Sequence, residues 1–367
     1  MVFRNILTDT KGKQTLNIIK LESFRQIPAN EGLCENYYST NIISALNENG
    51  VTLINDMSGS VTSVCRGTQA VNTVERTGLI FTTPSYVTLY STLPDLKASA
   101  VQLGFRLTLS AGKKYSSSPS HIRINGYSFT TPYPDEAASY YYEIFATRNE
   151  NGYVSASLYC NRSLAGNTSF YVSDDRTDKI QVSIGSGDNI FSSGASGTLM
   201  LGDMYCGTVA YGKNNSAEPA LLGAIEVRYS PVTAFTGGSA KNSLDKDIVT
   251  GLNTSDSNAG YLMLSPSPEA AQVTFGAVDN SNGDLVAVMA AVTYRSADAP
   301  NNCLAWSVKS GSHEGETVTE NDVQADTNSW TTVSQSFTTQ PDGDIPFTEG
   351  EIIFATELYN QPTTSRQ

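Results

Sequence analysis

The chain has 367 residues, of which 16% are charged, and its 36 acidic and 23 basic residues give a formal net charge of −13. A soluble domain has roughly 25% charged residues, so the polar surface here must depend largely on serine, threonine, asparagine and tyrosine. The acidic field would repel a phosphate backbone, which argues against nucleic-acid binding, and no apolar run approaches the ~18 residues of a membrane span.

The first part of the chain is rich in alternating apolar and polar residues, a pattern typical of strands. Its first 24 residues contain no uninterrupted apolar stretch of signal-peptide length, so we expect synthesis in a cytoplasm without classical secretion. Clusters of glycine, asparagine, proline and serine separate the later strands, and no segment has sustained helical periodicity. Strands are predicted over residues 86–93, 101–109, 121–129, 140–146, 154–160 and 179–184.

A polar, glycine-containing region that is poor in aromatic residues, 236–258, is typical of a linker. A second strand-rich block follows it. Its strands are predicted over residues 272–277, 285–294, 303–310, 330–337 and 351–359. We therefore predict an all-β chain of two antiparallel, jelly-roll-like β-sandwich domains, residues 1–235 and 259–360, with that linker between them and a flexible tail over 361–367.

The five cysteines do not form a C-x-x-C or a Cys/His pattern, so no zinc site is predicted. An odd number of widely spaced cysteines favours buried free thiols. If bridges form after release from a cell, the candidate pairs are Cys34 with Cys65 and Cys160 with Cys206.

Several short sequence motifs of the first block follow one another in the order found in a known family. They are LESF at residues 21–24, CRGTQA at 65–70, VQLGFRL at 101–107 and LGDMY at 201–205. In this order they resemble the concanavalin A-like (laminin-G-like) jelly rolls that occur in many phage virion proteins. The glycine at position 202 stands where many relatives have an aspartate.

The second block resembles a sandwich domain of phage structural proteins. The matching phrases are AGYL at residues 259–262, the strand 288–295 followed by SADA, the turn KSGS at 309–312 and PDGDIPFTEGE at 341–351. Phe347 stands where tryptophan is usual. Together the two resemblances cover residues 15–360.

The resemblance implies a structural component of a phage virion, assembled in the host cytoplasm and released by lysis. Such a protein would be exposed on the particle surface as a head decoration, in the neck or collar, or on the tail. It would act by protein–protein attachment to other virion proteins, and a homo-oligomer within a symmetric assembly is expected. The leading alternative is a receptor-binding adhesin that recognises host-surface glycan.

Catalytic residues are scarce, and we predict that the protein is not an enzyme and needs no cofactor or metal. The two histidines, His121 and His313, lie at a strand start and in a polar turn, without a nucleophile motif beside them. Glycoside hydrolysis, the remote alternative, needs only two carboxylates. Glu143 and Glu226 lie singly within predicted strands, and Glu226 is placed to pair with Arg228.

Tyrosines are the candidate contact residues, because tyrosine is common both at protein interfaces and in sugar-binding sites. Tyr133, Tyr140 and Tyr142 are closely grouped with Tyr141. In a strand, Tyr140 and Tyr142 share one face and Tyr141 takes the other. Core packing, a subunit interface and glycan contact all remain open for these side chains.

Overall fold

The computed structural model consists almost entirely of antiparallel sheets, which confirms the predicted fold class. The chain divides into two compact units. The N-terminal unit reaches Val227, and the C-terminal unit begins at Arg228 and includes Val2 and Phe3. The structure describes residues 2–4, 16–22, 24, 53–60, 63–71, 74–82, 86–109, 122–129, 139–186, 198–213, 216–237, 239–241, 248–253, 261–264, 270–279, 284–295, 302–320, 331–343, 345–347 and 351–362.

The strands up to residue 227 alternate with short turns, as the sequence pattern predicts. In chain order they are β1 (Val2–Arg4), β2 (Leu16–Glu22), β3 (Asp56–Ser60), β4 (Ser63–Val71), β5 (Val74–Thr82), β6 (Tyr86–Thr92), β7 (Ser99–Leu109), β8 (Ile122–Ile124), β9 (Tyr127–Ser128), β10 (Ser139–Arg148), β11 (Tyr153–Cys160), β12 (Ser163–Tyr171), β13 (Gln181–Ser186), β14 (Thr198–Ala210) and β15 (Ile225–Val227).

The N-terminal unit is a sandwich of a large and a small sheet. The large sheet has the strand order β12-β11-β10-β7-β14-β5-β4, with β2 also paired to β14, and the small sheet has the order β3-β6-β13-β8-β9. Their facing side chains form one apolar core, in which Phe105 of β7, Val182 of β13 and Ile124 of β8 are fully buried. Each large apolar side chain buried in this way contributes ~1.5–3 kcal/mol.

The period-two alternation of the central strands decides which side chains enter this core. In β10, Ile144 and Ala146 face the core, whereas Tyr141, Glu143 and Phe145 face the opposite side of the large sheet. We call that opposite side the outer face of the large sheet. All its candidate functional residues are carried by five neighbouring strands, β12, β11, β10, β7 and β14.

The C-terminal unit is also a sandwich, with Trp306 and Phe354 in its core. One sheet has the order β16-β19-β27-β22-β23 with β24 on β22, and β21 joins β1 and β25 in another. Its further elements are β16 (Val232–Thr236), β17 (Ser239–Lys241), α1 (Ile248–Leu252), β18 (Tyr261–Met263), β19 (Ala271–Phe275), β20 (Val278–Asp279), β21 (Asp284–Tyr294), β22 (Asn302–Ser310), β23 (His313–Glu314), β24 (Val318–Glu320), β25 (Thr331–Phe337), β26 (Glu351–Ile352) and β27 (Phe354–Pro362).

The unit boundary lies nearer the N-terminus than the boundary predicted from composition. β16 pairs with β19, so residues 232–236 belong to the second sandwich. The predicted linker 236–258 contains β17 and the short helix α1. β27 runs to Pro362, which pairs with Asn302 and so extends into the predicted tail. Short strands and single helical turns have polar compositions that resemble linkers, because their order comes from pairing and not from a long apolar run.

The described cysteines are mostly buried free thiols. Cys160, Cys206 and Cys303 are free, so the candidate bridge between Cys160 and Cys206 is not formed. Cys65 is disulfide-bonded, and Cys34, its candidate partner, lies outside the described residues. Burial raises the pKa of the Cys160 thiol to about 11 and that of the Cys206 thiol to about 12.

The free thiols should therefore resist alkylation in the folded protein. Iodoacetamide reacts with the thiolate, so at about pH 8 we expect Cys160 and Cys206 to label far more slowly in native than in denatured protein. Peptide mass spectrometry measures labelling at each position, with the denatured protein as the control. Rapid labelling of Cys206 in the native protein would contradict the burial of its thiol.

Candidate functional site

The predicted tyrosines occupy different environments. Tyr142 lies in the core, 3% exposed, with its ring 5.8 Å from that of Phe105. Tyr140 is half-buried beside it, with ring centroids 6.3 Å apart. The alternation of β10 directs both toward the core, so Tyr142 offers no surface contact, and that expectation is wrong for this residue. Tyr133 lies outside the described residues.

Six polar side chains project from the outer face of the large sheet and are nevertheless buried. They are carried by β7, β10 and β14, which are adjacent in the sheet. We call them the buried polar cluster: Gln102, Arg106, Tyr141, Glu143, Asp203 and Tyr205. Gln102, Arg106, Glu143 and Asp203 hydrogen-bond to residues 220–227, the last stretch of the N-terminal unit, which we call the covering segment.

Glu143 is at the centre of this cluster. One of its carboxylate oxygens accepts hydrogen bonds from the Leu222 N–H at 2.8 Å and from the Tyr205 hydroxyl at 2.6 Å, and the other accepts from the Gly223 N–H at 3.0 Å. Gln102 also donates to the first oxygen, at 3.2 Å. Every partner donates, so one carboxylate satisfies two consecutive backbone amides that would otherwise be buried without an acceptor.

Two more side chains hold the covering segment by its backbone. The Gln102 amide accepts from the Ala220 N–H at 3.0 Å and donates to the Ala220 carbonyl at 3.1 Å, so it acts as a strand partner for that residue. Arg162 donates to the Leu222 carbonyl at 2.9 Å. Arg162 has φ +69° in the hairpin between β11 and β12. A non-glycine residue rarely adopts this conformation, and here it brings the guanidinium to the segment.

The far end of the segment is held by an ion pair. Asp203 accepts from Arg106 Nε at 2.6 Å and from the Val227 N–H at 2.9 Å, while Arg106 also donates to the Ile225 carbonyl at 2.8 Å. Asp203 has φ +49° where the pairing of β14 with β7 shifts register. This bulge re-aims a side chain within the strand, so the carboxylate reaches both partners. Tyr141 donates to the Asp203 carbonyl at 3.0 Å.

The two carboxylates of the cluster have raised pKa values, which is unusual on the outer face of a sheet. Burial raises the pKa of Glu143, although the Tyr205 hydroxyl and the amides of Leu222 and Gly223 oppose this effect. Burial likewise raises the pKa of Asp203 against the attraction of Arg106. Perturbed carboxylates often mark active sites. These two carboxylates, however, already accept hydrogen bonds from backbone N–H groups of the same chain, so their role is to bind the backbone of the covering segment.

Beyond the covering segment, the outer face is open on β11 and β12. The side chains that form this open face are Tyr153, Ser155, Ser157, Tyr159, Leu164, Asn167, Ser169 and Tyr171. Tyr153 and Tyr171 are 52% and 62% exposed, and their rings meet edge-to-face at 5.7 Å. Ser157 donates to the Asn167 side-chain oxygen at 2.7 Å. The face thus combines exposed aromatic rings with hydroxyl and amide groups and has no charged side chain among these residues.

The remaining sequence candidates are not among the residues that form this face. Glu226 forms an ion pair with Arg76. His313 is hydrogen-bonded to Asp342 at 2.8 Å in the C-terminal unit, and His121 lies outside the described residues. Within the described part of the chain, no cluster of metal-ligating side chains occurs and no helix is long and apolar enough to cross a membrane.

Comparison with known proteins identifies no family model and no curated protein that matches. Solved structures with a similar fold include an alginate lyase Aly36B mutant in complex with alginate trisaccharide (9% identity, 52% of this chain and 98% of that chain, TM-score 0.30). Domain 4 of AbnA, a GH43 extracellular arabinanase from Geobacillus stearothermophilus, in complex with arabinotriose, has 11% identity, 53% and 94% coverage and a TM-score of 0.27. The CBM2 module of an evolved Dit from Lactobacillus casei BL23 phage J-1 has 12% identity, 55% and 99% coverage and a TM-score of 0.24. Likenesses this distant do not bear on what this chain binds.

The carboxylate of Glu143 should be required to hold the covering segment. In Glu143→Gln an amide N–H₂ replaces one acceptor and faces N–H donors, so we expect the free energy of unfolding to fall by about 1–3 kcal/mol. Hydrogen exchange of the Leu222 and Gly223 amides should accelerate. Glu150→Gln, the same change in an exposed turn, is the control and should stay within about 0.5 kcal/mol. Unchanged exchange at both amides would exclude this role for Glu143.

Gly104 should tolerate no side chain, because its Cα lies against the cluster. An added Cβ would lie 2.1 Å from the Tyr205 ring and 2.8 Å from the Tyr141 hydroxyl. Gly104→Ala should therefore destabilise the protein by about 1–3 kcal/mol, as overpacking does. In Gly67→Ala the Cβ meets only the end of the Ile80 side chain, so denaturant unfolding should show a much smaller loss. Equal losses for the two variants would be inconsistent with this packing.

Proposed function

We propose that this protein is a structural component of a phage virion, exposed on the particle surface, and that it attaches to other virion proteins through its open face. Two observations support the proposal. The sequence motifs occur in the same order as in sandwich domains of phage virion proteins, and Tyr153 and Tyr171 form an exposed pair. The exposed pair is the observation on which the location of the contact depends. Tyrosine supplies large, rigid contact area together with a hydroxyl, and protein interfaces are enriched in it.

A non-enzymatic role is supported by the state of the buried polar cluster. Its two carboxylates, Glu143 and Asp203, are 1% and 3% exposed and accept hydrogen bonds from the covering segment. A glycoside hydrolase needs two carboxylates that reach a sugar. For this pair to reach a sugar, the whole covering segment would have to leave the sheet.

The second candidate function is glycan recognition by an adhesin, and the same open face favours it. Sugar rings stack on aromatic side chains, and their hydroxyls hydrogen-bond to groups such as those of Ser157 and Asn167. Tyr153 and Tyr159 are six residues apart on one face of β11, so the aromatic ends of the face are ~20 Å apart. That distance would accommodate an extended oligosaccharide.

Removal of the tyrosine pair distinguishes these functions. In Tyr153→Ala/Tyr171→Ala we expect incorporation into particles to fall about tenfold or more, because aromatic contacts at an interface each contribute ~1–2 kcal/mol. Quantitative mass spectrometry of purified particles measures the copy number. Tyr229→Ala is the control, since Tyr229 is 41% exposed but belongs to the C-terminal unit.

Each outcome of this experiment supports one of the two functions and argues against the other. Wild-type protein in stoichiometric amounts and a depleted double variant would support attachment through the open face. Normal incorporation with lost binding to isolated host envelopes would favour the adhesin instead. If wild-type protein is absent from purified particles, the virion proposal is wrong.

A further inference from the structure

The strand β12 forms one edge of the large sheet and lacks the usual protection of an edge. Its nine residues, SLAGNTSFY, contain no charged residue and no proline. Edge strands in soluble proteins are normally protected by such residues, because their free N–H and C=O groups can pair with another chain. The other edges of this sheet do carry charges, with Arg66 on β4 and Lys20 and Glu22 on β2.

The backbone N–H and C=O groups of β12 that do not bond to β11 lie at defined positions along the strand. The Val172 N–H donates to the Gly152 carbonyl at 2.9 Å, just beyond the strand. Hydrogen-bonding direction alternates along an antiparallel strand, so Phe170 and Thr168 also bond toward β11. The N–H and C=O of Asn167, Ser169 and Tyr171 therefore point away from the sheet. The pairing irregularity with β11 lies at Leu158 and Tyr159, outside this stretch.

Within the part of the chain that the structure describes, this free edge is accessible. Within the described residues, β11 is the only strand that pairs with β12. Asn167, Ser169 and Tyr171 are exposed. An accessible edge with unpaired groups at every second residue can accept one further antiparallel strand.

We infer that β12 pairs antiparallel with β12 of a second copy of this chain, around a two-fold axis near Ser169. A self-pairing strand needs no second sequence, and two-fold dimers are the commonest symmetric assembly. The chain carries a net charge of −13, so two copies repel unless they meet where charge is absent, as on β12. The small side chains from Ala165 to Ser169 allow the two backbones to approach.

Such pairing would join two large sheets into one continuous sheet. Tyr153 and Tyr171 of each copy would then lie on the same outer surface, on both sides of the two-fold axis. The inference concerns the edge of β12 and not its open face, so it does not require the virion role proposed above.

Ser169→Pro is the direct test in the full-length chain. Proline removes the N–H that faces the free edge but no hydrogen bond to β11, and proline is tolerated at such edge positions. We expect wild-type protein and Ser169→Ala, which keeps the N–H, to have the mass of two copies by light scattering. Ser169→Pro should dissociate at concentrations about tenfold or more above the wild-type value.

A second variant covers the case in which the proline variant does not fold. Ser169→Lys keeps the N–H but places like charges opposite each other across the axis, which destabilises strand pairs, so it should also weaken association. A single-copy mass for the wild-type protein would overturn the inference, and so would a folded Ser169→Pro variant that associates normally. Pairing without incorporation into particles would refute only the virion proposal, and monomeric protein in particles would refute only the pairing.

Discussion

The N-terminal sandwich depends on one interaction, the acceptance of two consecutive backbone N–H groups by the carboxylate of Glu143. Those groups, on Leu222 and Gly223, belong to a segment that lies across the outer face of a sheet and cannot join its ladder. A buried amide without an acceptor costs about 1–3 kcal/mol. A charged acceptor from the middle of β10 removes that cost, so the outer face of the sheet can be covered by a segment that has no regular structure at Leu222 and Gly223.

The rest of the cluster follows from this constraint. A buried carboxylate is itself costly unless it is fully hydrogen-bonded, and Tyr205 and Gln102 supply the remaining donors. Gly104 has no side chain, which leaves room for the Tyr205 ring. Further along the segment, Asp203 leaves normal strand geometry to reach the Val227 amide. Strain at single residues is thus offset by hydrogen bonds to several neighbours, as is usual where a backbone outlier is held by its surroundings.

Sequence patterns predict the sheets well and the cluster poorly, for a physical reason. Alternation is a local signal, so it separates Tyr140 and Tyr142 from Tyr141 and predicts the strands. Whether a second face is covered depends on a segment distant in sequence, and residues 220–227 have no period that indicates where they lie. Glu143 stands out in an aromatic strand, but its partners are backbone amides, which sequence does not distinguish. The open face was not predicted either, although the alternation of β11 places Tyr153 opposite the core-facing Val154.

The low content of charged residues in this chain matters because of where those residues lie. Arg106, Glu143 and Asp203 are used inside the protein to hold the covering segment. The open face and the free edge of β12 have no charged side chain among their named residues. On a chain with a net charge of −13, Coulomb repulsion opposes contact with any other acidic surface. An uncharged patch is the place where that opposition is weakest, so the same distribution of charge that closes one half of the outer face leaves the other half suited to association.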